Sequence, residues 1–302
     1  MTRTAVGQDE ATVGAVGRAM FFLLAQSRLT GMHRDQLRLP LDAVSLREAL
    51  TGHDLPWRQL DVVAETGSTN ADLLARAAAG DDIDGAVLIA EHQTSGRGRG
   101  GRTWLGVPSA LITMSVGVST RGVSSETWGW VPLMTGVAVV DAVAAVTGVR
   151  AGLKWPNDVL VGEGKLAGIL AEVATPAPVI VVGIGLNVTL QPDEIAAPGV
   201  TSLSALGLDA DRNTLVRNLL GKLAARMWHW RDAGGADAAL MADYRACSVT
   251  IGSRVRALMP GDRDIVGDAV AVDEQGRLCI DVGGAIVPVS AGDITHLRPV
   301  SG

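Results

Sequence analysis

Short continuous apolar runs and apolar residues at helical spacing alternate along most of the chain. Runs of strand length cover residues 60–64, 86–91, 110–118, 159–161, 165–172 and 179–188. Helical spacing marks residues 69–79, 127–146, 212–231 and 236–246. Thr69 and Asp72 form a capping-box pattern at the start of the first helix, and Trp228 and Trp230 in the third are interpreted as packing residues. The pattern predicts a domain of mixed strands and helices over residues 59–248.

The spacing of apolar residues changes at both ends of this domain. Beyond Ser248, short strands separated by turns at residues 273–276 and 283–284 predict a small all-β barrel over residues 249–302. Before residue 59 the pattern is weak, with helical stretches near residues 14–27 and 45–50. We therefore interpret residues 1–58 as an N-terminal extension that is partly disordered. Met32 in this extension is an alternative start, which would make the first 31 residues dispensable.

Composition predicts a globular cytoplasmic protein. The 302 residues, 47% of them hydrophobic, can build one or two cores. The longest apolar run near the N-terminus, residues 19–25, is far shorter than the about 20 residues that a membrane span needs, so no membrane association is expected. Cys247 and Cys279 cannot form a disulfide framework, which favours a reducing compartment. The five histidines are scattered, which argues against a transition-metal site.

A glycine- and arginine-rich loop follows the second predicted strand. Residues 96–104 read Gly-Arg-Gly-Arg-Gly-Gly-Arg-Thr-Trp. Glycines let a ligand approach the backbone closely, and Arg97, Arg99 and Arg102 are permanently charged forks suited to phosphate and carboxylate. Trp104 offers a flat face to a purine ring. The loop is therefore predicted to bind an anion, and a merely flexible, solvated loop stays the open alternative.

Two other interpretations of this loop conflict with its surroundings. Gly96, Gly98 and Gly101 satisfy the spacing G-x-G-x-x-G, but a dinucleotide-binding fingerprint needs a helix next, whereas the strand of residues 110–118 follows. An RGG-type nucleic-acid segment needs an extended basic surface, which a single short cluster in a chain of net charge −6 does not provide. DNA is therefore not an expected partner.

Further polar clusters occur at the ends of predicted elements. Residues 68–70, Ser-Thr-Asn, open a helix, where an ordinary helix cap is the simplest explanation. The turn at residues 154–158, Lys-Trp-Pro-Asn-Asp, presents oxygens that could hold a hard cation. Lys165 begins an apolar strand, a position where lysine is usually a solvated edge charge. Gly183 and Gly185 lie in a very apolar strand and indicate close approach of a ligand or another backbone.

These clusters, taken in order, closely resemble the motifs of the biotin protein ligases. They are Ser68-Thr69-Asn70, Gln93 before residues 96–104, residues 154–158, residues 165–170 and residues 183–187. The resemblance runs from about residue 60 through the C-terminal barrel, in the family's order and approximate spacing. It implies an α+β fold with a mixed sheet and flanking helices, related to class II aminoacyl-tRNA synthetases, followed by a small SH3-like barrel.

The resemblance also implies a reaction and the residues that perform it. Biotin and ATP would form biotinyl-5'-AMP and pyrophosphate, and biotin would then pass to a lysine of a biotin carboxyl carrier domain of a biotin-dependent carboxylase. The catalytic residues would be Lys165, Arg97 and Arg99, and the Mg²⁺ ligands Asn157 and Asp158. The biotin-binding residues would be Ser68, Thr69, Asn70, Gln93, Arg97, Gly98, Arg99, Lys165, Gly168 and Leu170. The residues for ATP and the adenylate would be Arg97, Arg99, Arg102, Trp104, Asn157, Lys165 and Asn187.

Two related activities stay open. Lipoate ligases share the fold implied here but carry a different arginine-glycine motif. Some members of the biotin ligase family are also biotin-responsive repressors through an N-terminal winged helix. Residues 1–58 show no pattern of three helical segments with a basic recognition helix, so this second activity is not expected.

Overall fold

The structure, a computed structural model, describes residues 38–52, 55–176, 178–259, 263–290 and 293–296. Contacts divide the chain into two units, residues 1–39 and 40–302, and the elements described below belong to the second. The helix expected near residues 14–27 and the alternative start at Met32 lie outside the described residues.

The helices and strands follow the predicted order. The helices are α1 Ala43–Leu50, α2 Thr69–Ala78, α3 Trp130–Thr147, α4 Arg212–Asp232 and α5 Ala238–Cys247. The strands of the first domain are β1 Gln59–Thr66, β2 Ala86–Gln93, β3 Leu111–Ser119, β4 Gly152–Lys154, β5 Asp158–Val161, β6 Gly164–Val173 and β7 Val179–Asn187. The strands that follow are β8 Arg254–Met259, β9 Arg263–Val272, β10 Leu278–Val282, β11 Ala285–Val289 and β12 Asp293–His296.

The first seven strands form a mixed sheet in the order β1-β2-β3-β7-β6-β5-β4. β1 and β2 are parallel, with α2 as the crossover between them, and every other neighbouring pair is antiparallel. β2 and β3 pair without a crossover helix, so the loop between them is not a dinucleotide-binding turn. The predicted mixed sheet with flanking helices is confirmed.

The two faces of this sheet have different coverings. α3 and α4 pack on one face, where Val137, Ile169 and Ile184 belong to the largest apolar cluster. α2 packs on the other face, where Leu73 and Val181 share a smaller cluster. α3 is long and apolar enough to cross a membrane, but 67% of it is buried inside the fold, as expected for a core helix. One face of the sheet is therefore fully used for packing, and the other is available for a site.

The last five strands form an antiparallel sheet in the order β11-β10-β9-β8-β12, which confirms the small C-terminal β domain. The turn between β9 and β10 docks on the first domain through two tryptophans. Trp130 Nε1 donates to the carbonyl of Asp273 at 2.9 Å, and Trp155 Nε1 donates to that of Gly276 at 3.1 Å. Both indoles are buried, so these bonds hold the C-terminal domain against the first.

Residues 40–58 belong to the first domain, which corrects the boundary expected at residue 58. Leu46, Leu50 and Trp57 are at most 3% exposed and lie in the same apolar cluster as α4. Trp57 Nε1 donates to the carbonyl of Leu220 on α4 at 3.2 Å. α1 has only eight residues, so its apolar spacing is a weak signal, and the helix that covers it lies far along the chain.

The start of α2 also differs from its expected form. Ser68, and not Thr69, caps the helix, because its Oγ accepts from the amide of Ala71 at 3.5 Å. The Asp72 carboxylate accepts a hydrogen bond from the Thr66 hydroxyl on β1 instead of closing a capping box. The acidic residue therefore joins α2 to the sheet.

The two tryptophans near the end of α4 differ in burial. Trp230 is fully buried, as expected of a packing residue, whereas Trp228 is 45% exposed, which corrects its interpretation. Residues that are two positions apart on a helix point in directions that differ by about 200° around its axis, so these two side chains cannot face the same neighbours.

We expect Leu46→Ala to lower the free energy of unfolding by about 2 to 5 kcal/mol, because it leaves a cavity under α1. Val44 is 61% exposed on the same helix. Val44→Ala is therefore the matched control and should change stability by less than about 0.5 kcal/mol. Urea unfolding followed by circular dichroism measures both, and equal effects would contradict the assignment of residues 40–58 to the core.

Candidate functional site

A cavity on the α2 side of the sheet collects nearly all the residues expected to bind ligands. Its walls come from the start of α2, the end of β2, the glycine–arginine loop of residues 96–104 and strands β5 to β7. The expected residues in its lining are Ser68, Thr69, Asn70, Gln93, Arg97, Gly98, Arg99, Arg102, Trp104, Asn157, Asp158, Lys165, Gly168 and Leu170. Thr103, Met114, Ile169 and Ile184 also line it and were not expected. The fold thus brings separate motifs into one cavity.

The floor of the cavity is a part of the sheet without side chains. Gly168 pairs with Gly185 across β6 and β7, and Gly183 is the next residue of β7 on that face. A Cβ on Gly185 would lie 2.4 Å from the ring of Trp104. A Cβ on Gly183 would lie 2.4 Å from Asn70 Oδ1. The close approach that the glycines indicated is therefore made by two side chains of the site itself.

Gln93 joins the start of α2 to the end of β2. Its Oε1 accepts from the amide of Thr69 at 2.9 Å and lies 3.1 Å from the Thr69 hydroxyl. Because Oε1 is bound in this way, the NH₂ group of Gln93 is the part that can donate to a ligand. Thr69 therefore has a partner outside its own helix, which an ordinary helix cap does not explain.

Two residues of the site are absent from the sequence-based expectations, namely Ser115 and Glu172. Ser115 Oγ on β3 lies 2.6 Å from Asn70 Oδ1 and 2.7 Å from Thr69 Oγ1. Glu172 near the end of β6 accepts from Asn70 Nδ2 at 2.9 Å and from Arg97 Nη2 at 2.6 Å. Each is a polar residue in a strand that is mostly apolar. That mismatch is the signal that could have identified them.

The glycine–arginine loop is a small hydrogen-bonded hairpin. The amide of Trp104 donates to the carbonyl of Gly96 at 2.9 Å, and the amide of Gly98 donates to that of Arg102 at 2.7 Å. The two glycines at its tip, residues 100–101, have φ angles of 68° and 76°, a region that other residues rarely adopt. The loop has a defined shape, which argues against the alternative of a merely flexible segment.

Positive charge concentrates in this cavity. The cationic residues of its lining are Arg97, Arg99, Arg102 and Lys165. Burial lowers the pKa of Arg99, and the charge of nearby Arg102 lowers it further, whereas Asp158 raises it. Arginine stays protonated near neutral pH despite such a change. The positive charge is therefore a constant feature of the site.

Lys165 lies inside the cavity and not at a solvated edge. Its Nζ is 2.6 Å from Asp158 Oδ1 and 5.5 Å from the ring centre of Trp104. The side chain is only 29% exposed. A solvated edge lysine would extend into water, so the structure disfavours that interpretation.

Asn157 and Asn187 have different surroundings. Asn157 lines the cavity, and its Nδ2 donates to the carbonyl of Ile169 at 2.9 Å. Asn187 is 1% exposed, and its Nδ2 donates to the carbonyls of Lys165 and Thr201 at 3.3 and 3.0 Å. Asn187 is therefore placed behind Lys165 and outside the cavity lining. Its amide holds the backbone at Lys165 and Thr201, and the expected contact with adenine stays a prediction.

Comparison with known proteins assigns the chain to a family. Residues 68–188 match the family model of the Biotin/lipoate A/B protein ligase family, and residues 250–297 match that of the Biotin protein ligase C terminal domain. The chain is 59% identical over 269 residues to the Biotin--[acetyl-CoA-carboxylase] ligase of Mycobacterium tuberculosis, which covers 88% of this chain and 99% of that protein. The chain belongs to the biotin protein ligase family.

The ligase is also similar to more distant members of the family. It is 30% identical to the Bifunctional ligase/repressor BirA of Escherichia coli, over 76% of this chain and 71% of that protein. The structure of the biotin protein ligase from Aquifex aeolicus in complex with biotin and ATP matches with a TM-score of 0.68 and 27% identity, over 80% of this chain and 100% of that one. The two matched family models cover most of the sheet that forms the cavity and the C-terminal domain.

Gly183→Ala should destabilise the ligase, because the added Cβ would lie 2.4 Å from the Asn70 oxygen. Overpacking of this kind costs about 1 to 3 kcal/mol. Gly221→Ala on α4 is the matched control, since nothing lies within 4 Å of its Cβ. This second change should stabilise the helix by up to about 1 kcal/mol. Urea unfolding measures both, and a Gly183→Ala protein as stable as the parent would contradict the close contact.

Proposed function

We propose that the ligase joins biotin to ATP, forming biotinyl-5'-AMP and pyrophosphate, and then transfers biotin to a lysine of a biotin carboxyl carrier domain. The observation that carries the proposal is the cavity, in which an uncharged end at residues 68–70 and Gln93 adjoins a cationic end at Arg97, Arg99 and Lys165. The name of the M. tuberculosis relative supports the reaction, and the A. aeolicus structure with biotin and ATP supports both substrates.

The uncharged end of the cavity fits the ureido ring of biotin. Such a ring presents fixed N–H donors and a carbonyl acceptor, which hydroxyl and amide groups can pair with. The NH₂ group of Gln93 would donate to the carbonyl, and Ser68, Thr69 and Asn70 would complete this end. The remaining biotin contacts would be Gly98, Gly168 and Leu170.

The cationic end fits the charges of the first step. A carboxylate oxygen of biotin attacks the α-phosphorus of ATP, and the bond from phosphorus to the pyrophosphate oxygen breaks. Two negatively charged groups must approach each other, so preorganised positive charge is the largest contribution that a protein can make. Arg97, Arg99 and Lys165 would supply it as catalytic residues, with Arg102 on the phosphates and Trp104 against the adenine.

The second step transfers biotin from the adenylate to the carrier. The amine of the carrier lysine attacks the carbonyl carbon, AMP leaves with the electrons of the carbon–oxygen bond, and the amine releases a proton. Lys165 would offset the negative charge on the departing phosphate, because it lines the cavity at the cationic end. The same residue would therefore act in both steps.

Mg²⁺ would accompany ATP on the side of Asn157 and Asp158. In the part of the chain that the structure describes, no group of three or more His, Cys, Asp or Glu side chains could hold a metal ion. One amide and one carboxylate nevertheless fit Mg²⁺, which usually keeps several waters and binds largely through substrate phosphates. When bound there, the ion would neutralise phosphate charge. Asp158 would then be shared with Lys165.

The comparisons also include proteins with a second activity, either lipoate ligation or repression. Lipoate ligation is the second candidate, because the matched family model includes lipoate ligases. The E. coli relative is named a repressor as well as a ligase, but DNA is still not an expected partner, and residues 1–37 lie outside the described part of the chain. The cytoplasm remains the expected location.

Exchange of pyrophosphate into ATP should require biotin and Mg²⁺, and lipoate should not replace biotin. The hydroxyl and amide groups of residues 68–70 and Gln93 match a ureido ring and would lack partners on an aliphatic dithiolane. Incorporation of labelled pyrophosphate is measured with each acid in parallel, and a reaction without either acid is the blank. Equal exchange with lipoate would contradict the predicted specificity for biotin.

Lys165→Ala should slow both steps by about 10² to 10³, because loss of one preorganised charge costs roughly 3 to 4 kcal/mol. Lys165→Arg should restore the rate only in part, since a planar fork cannot occupy the position of a compact ammonium. Lys222 is exposed on α4, so Lys222→Ala is the control for loss of a lysine charge elsewhere.

Single-turnover formation of the adenylate measures the first step, and transfer from supplied biotinyl-5'-AMP to a carrier domain measures the second. The melting temperature of each variant reports whether it is folded. A folded Lys165→Ala protein that retains most of the parent rate in both steps would return Lys165 to the interpretation of a solvated edge charge.

A further inference from the structure

The Glu172 carboxylate lies between the two ends of the cavity. Its Oε1 accepts from Arg97 Nη2 at 2.6 Å, and its Oε2 accepts from Asn70 Nδ2 at 2.9 Å. These partners are 75 and 102 residues away along the chain. One carboxylate thus joins an arginine of the cationic end to an amide of the uncharged end.

The hydrogen bonds around Asn70 determine the direction of each donor. Asn70 Nδ2 also donates to the carbonyl of Leu170 at 3.2 Å, so Oδ1 is the acceptor that faces Ser115 Oγ at 2.6 Å. Ser115 has one hydroxyl proton and gives it to Asn70. The Thr69 hydroxyl lies 2.7 Å from Ser115 Oγ, and it donates its own proton to Gln93 Oε1 at 3.1 Å. An ordered series of hydrogen bonds therefore runs from Ser115 through Asn70 to Glu172.

This series of hydrogen bonds requires a carboxylate at position 172. A carboxylate accepts at both oxygens, and Arg97 and Asn70 both present N–H groups to it. Glutamine has one oxygen, so its NH₂ group would face an N–H of one of these partners. Arg97 is 46% exposed, and a pair this exposed contributes little to the stability of the fold. The pair is important because Glu172 fixes the position of the Arg97 guanidinium.

We propose that Glu172 is a positioning residue, which holds Arg97 for attack on the α-phosphate and couples its position to the groups that bind the biotin ring. The inference rests on the proposed function, because that function makes Arg97 a catalytic residue. Glu172 itself acts through Arg97 and Asn70, without a contact to the reacting atoms.

A double-mutant cycle between Glu172 and Arg97 tests this role. Glu172→Gln should slow single-turnover adenylate formation about tenfold, the effect of one lost charge-assisted hydrogen bond. Arg97→Gln should slow it at least as much. The double variant should be within about twofold of Arg97→Gln alone, because a residue that acts through Arg97 has no effect once Arg97 is gone. A residue with a merely structural role would give additive effects.

Two further measurements separate positioning from binding and from folding. The biotin Kd of Glu172→Gln, measured by calorimetry, should stay within about threefold of the parent value, because Asn70 keeps its bonds to Ser115 and Leu170. Asp141→Asn is the matched control, since Asp141 is a half-buried carboxylate 2.6 Å from Arg226 and outside the cavity lining. It should leave the rate of adenylate formation unchanged.

The possible results lead to different conclusions. Additive effects in the cycle, or a Glu172→Gln protein with the parent rate, would overturn the role of Glu172. A parent protein without biotin-dependent activity would instead overturn the proposed function. If melting curves show that Glu172→Gln is unfolded, the cycle is repeated with Glu172→Asp, which keeps the charge but is one methylene shorter. The effects of Glu172→Asp and Arg97→Gln on adenylate formation must then again be non-additive.

Discussion

The site depends on a strip of the sheet that carries no side chains. Gly168 and Gly185 face each other across β6 and β7, and Gly183 continues the strip along β7. A methyl group at position 183 or 185 would collide with Asn70 or Trp104. These two side chains lie at opposite ends of the cavity, one bonded to the polar network of α2 and the other beside Lys165. The bare strip therefore allows motifs from distant parts of the chain to share one cavity.

Charge in the cavity is arranged in pairs. Glu172 holds Arg97, and Asp158 holds Lys165, each at 2.6 Å. The whole chain carries a net charge of −6, so the positive cavity is a local arrangement and not an effect of composition. Each carboxylate fixes its cation in place and reduces the repulsion among the cations that converge there. Positive charges that are already held in place need little rearrangement when phosphates bind. Preorganised charge of this kind is usually the largest single contribution to catalysis.

The turn at residues 154–158 connects the cavity to the C-terminal domain. Trp155 is buried and bonds to the carbonyl of Gly276 in that domain, whereas Asp158 pairs with Lys165. Two residues thus separate a domain contact from the carboxylate that pairs with Lys165. The tryptophan of this motif has a structural role, and the acidic residue that follows it has an electrostatic one. The C-terminal domain is consequently a direct support of the site.

Apolar spacing and motif order were enough to predict the family, the four helices and six of the seven strands described in residues 59–248, and most of the residues that line the cavity. Such patterns succeed because they report which side of an element is buried and which short segments carry chemistry. They do not report neighbours that are distant along the chain. Packing of α1 on α4 and the bonds that join Glu172 to Asn70 and Arg97 arise only when the sheet assembles with β7 between β3 and β6. Strand order and the space that the glycines leave determine which residues become neighbours, and local spacing reports neither.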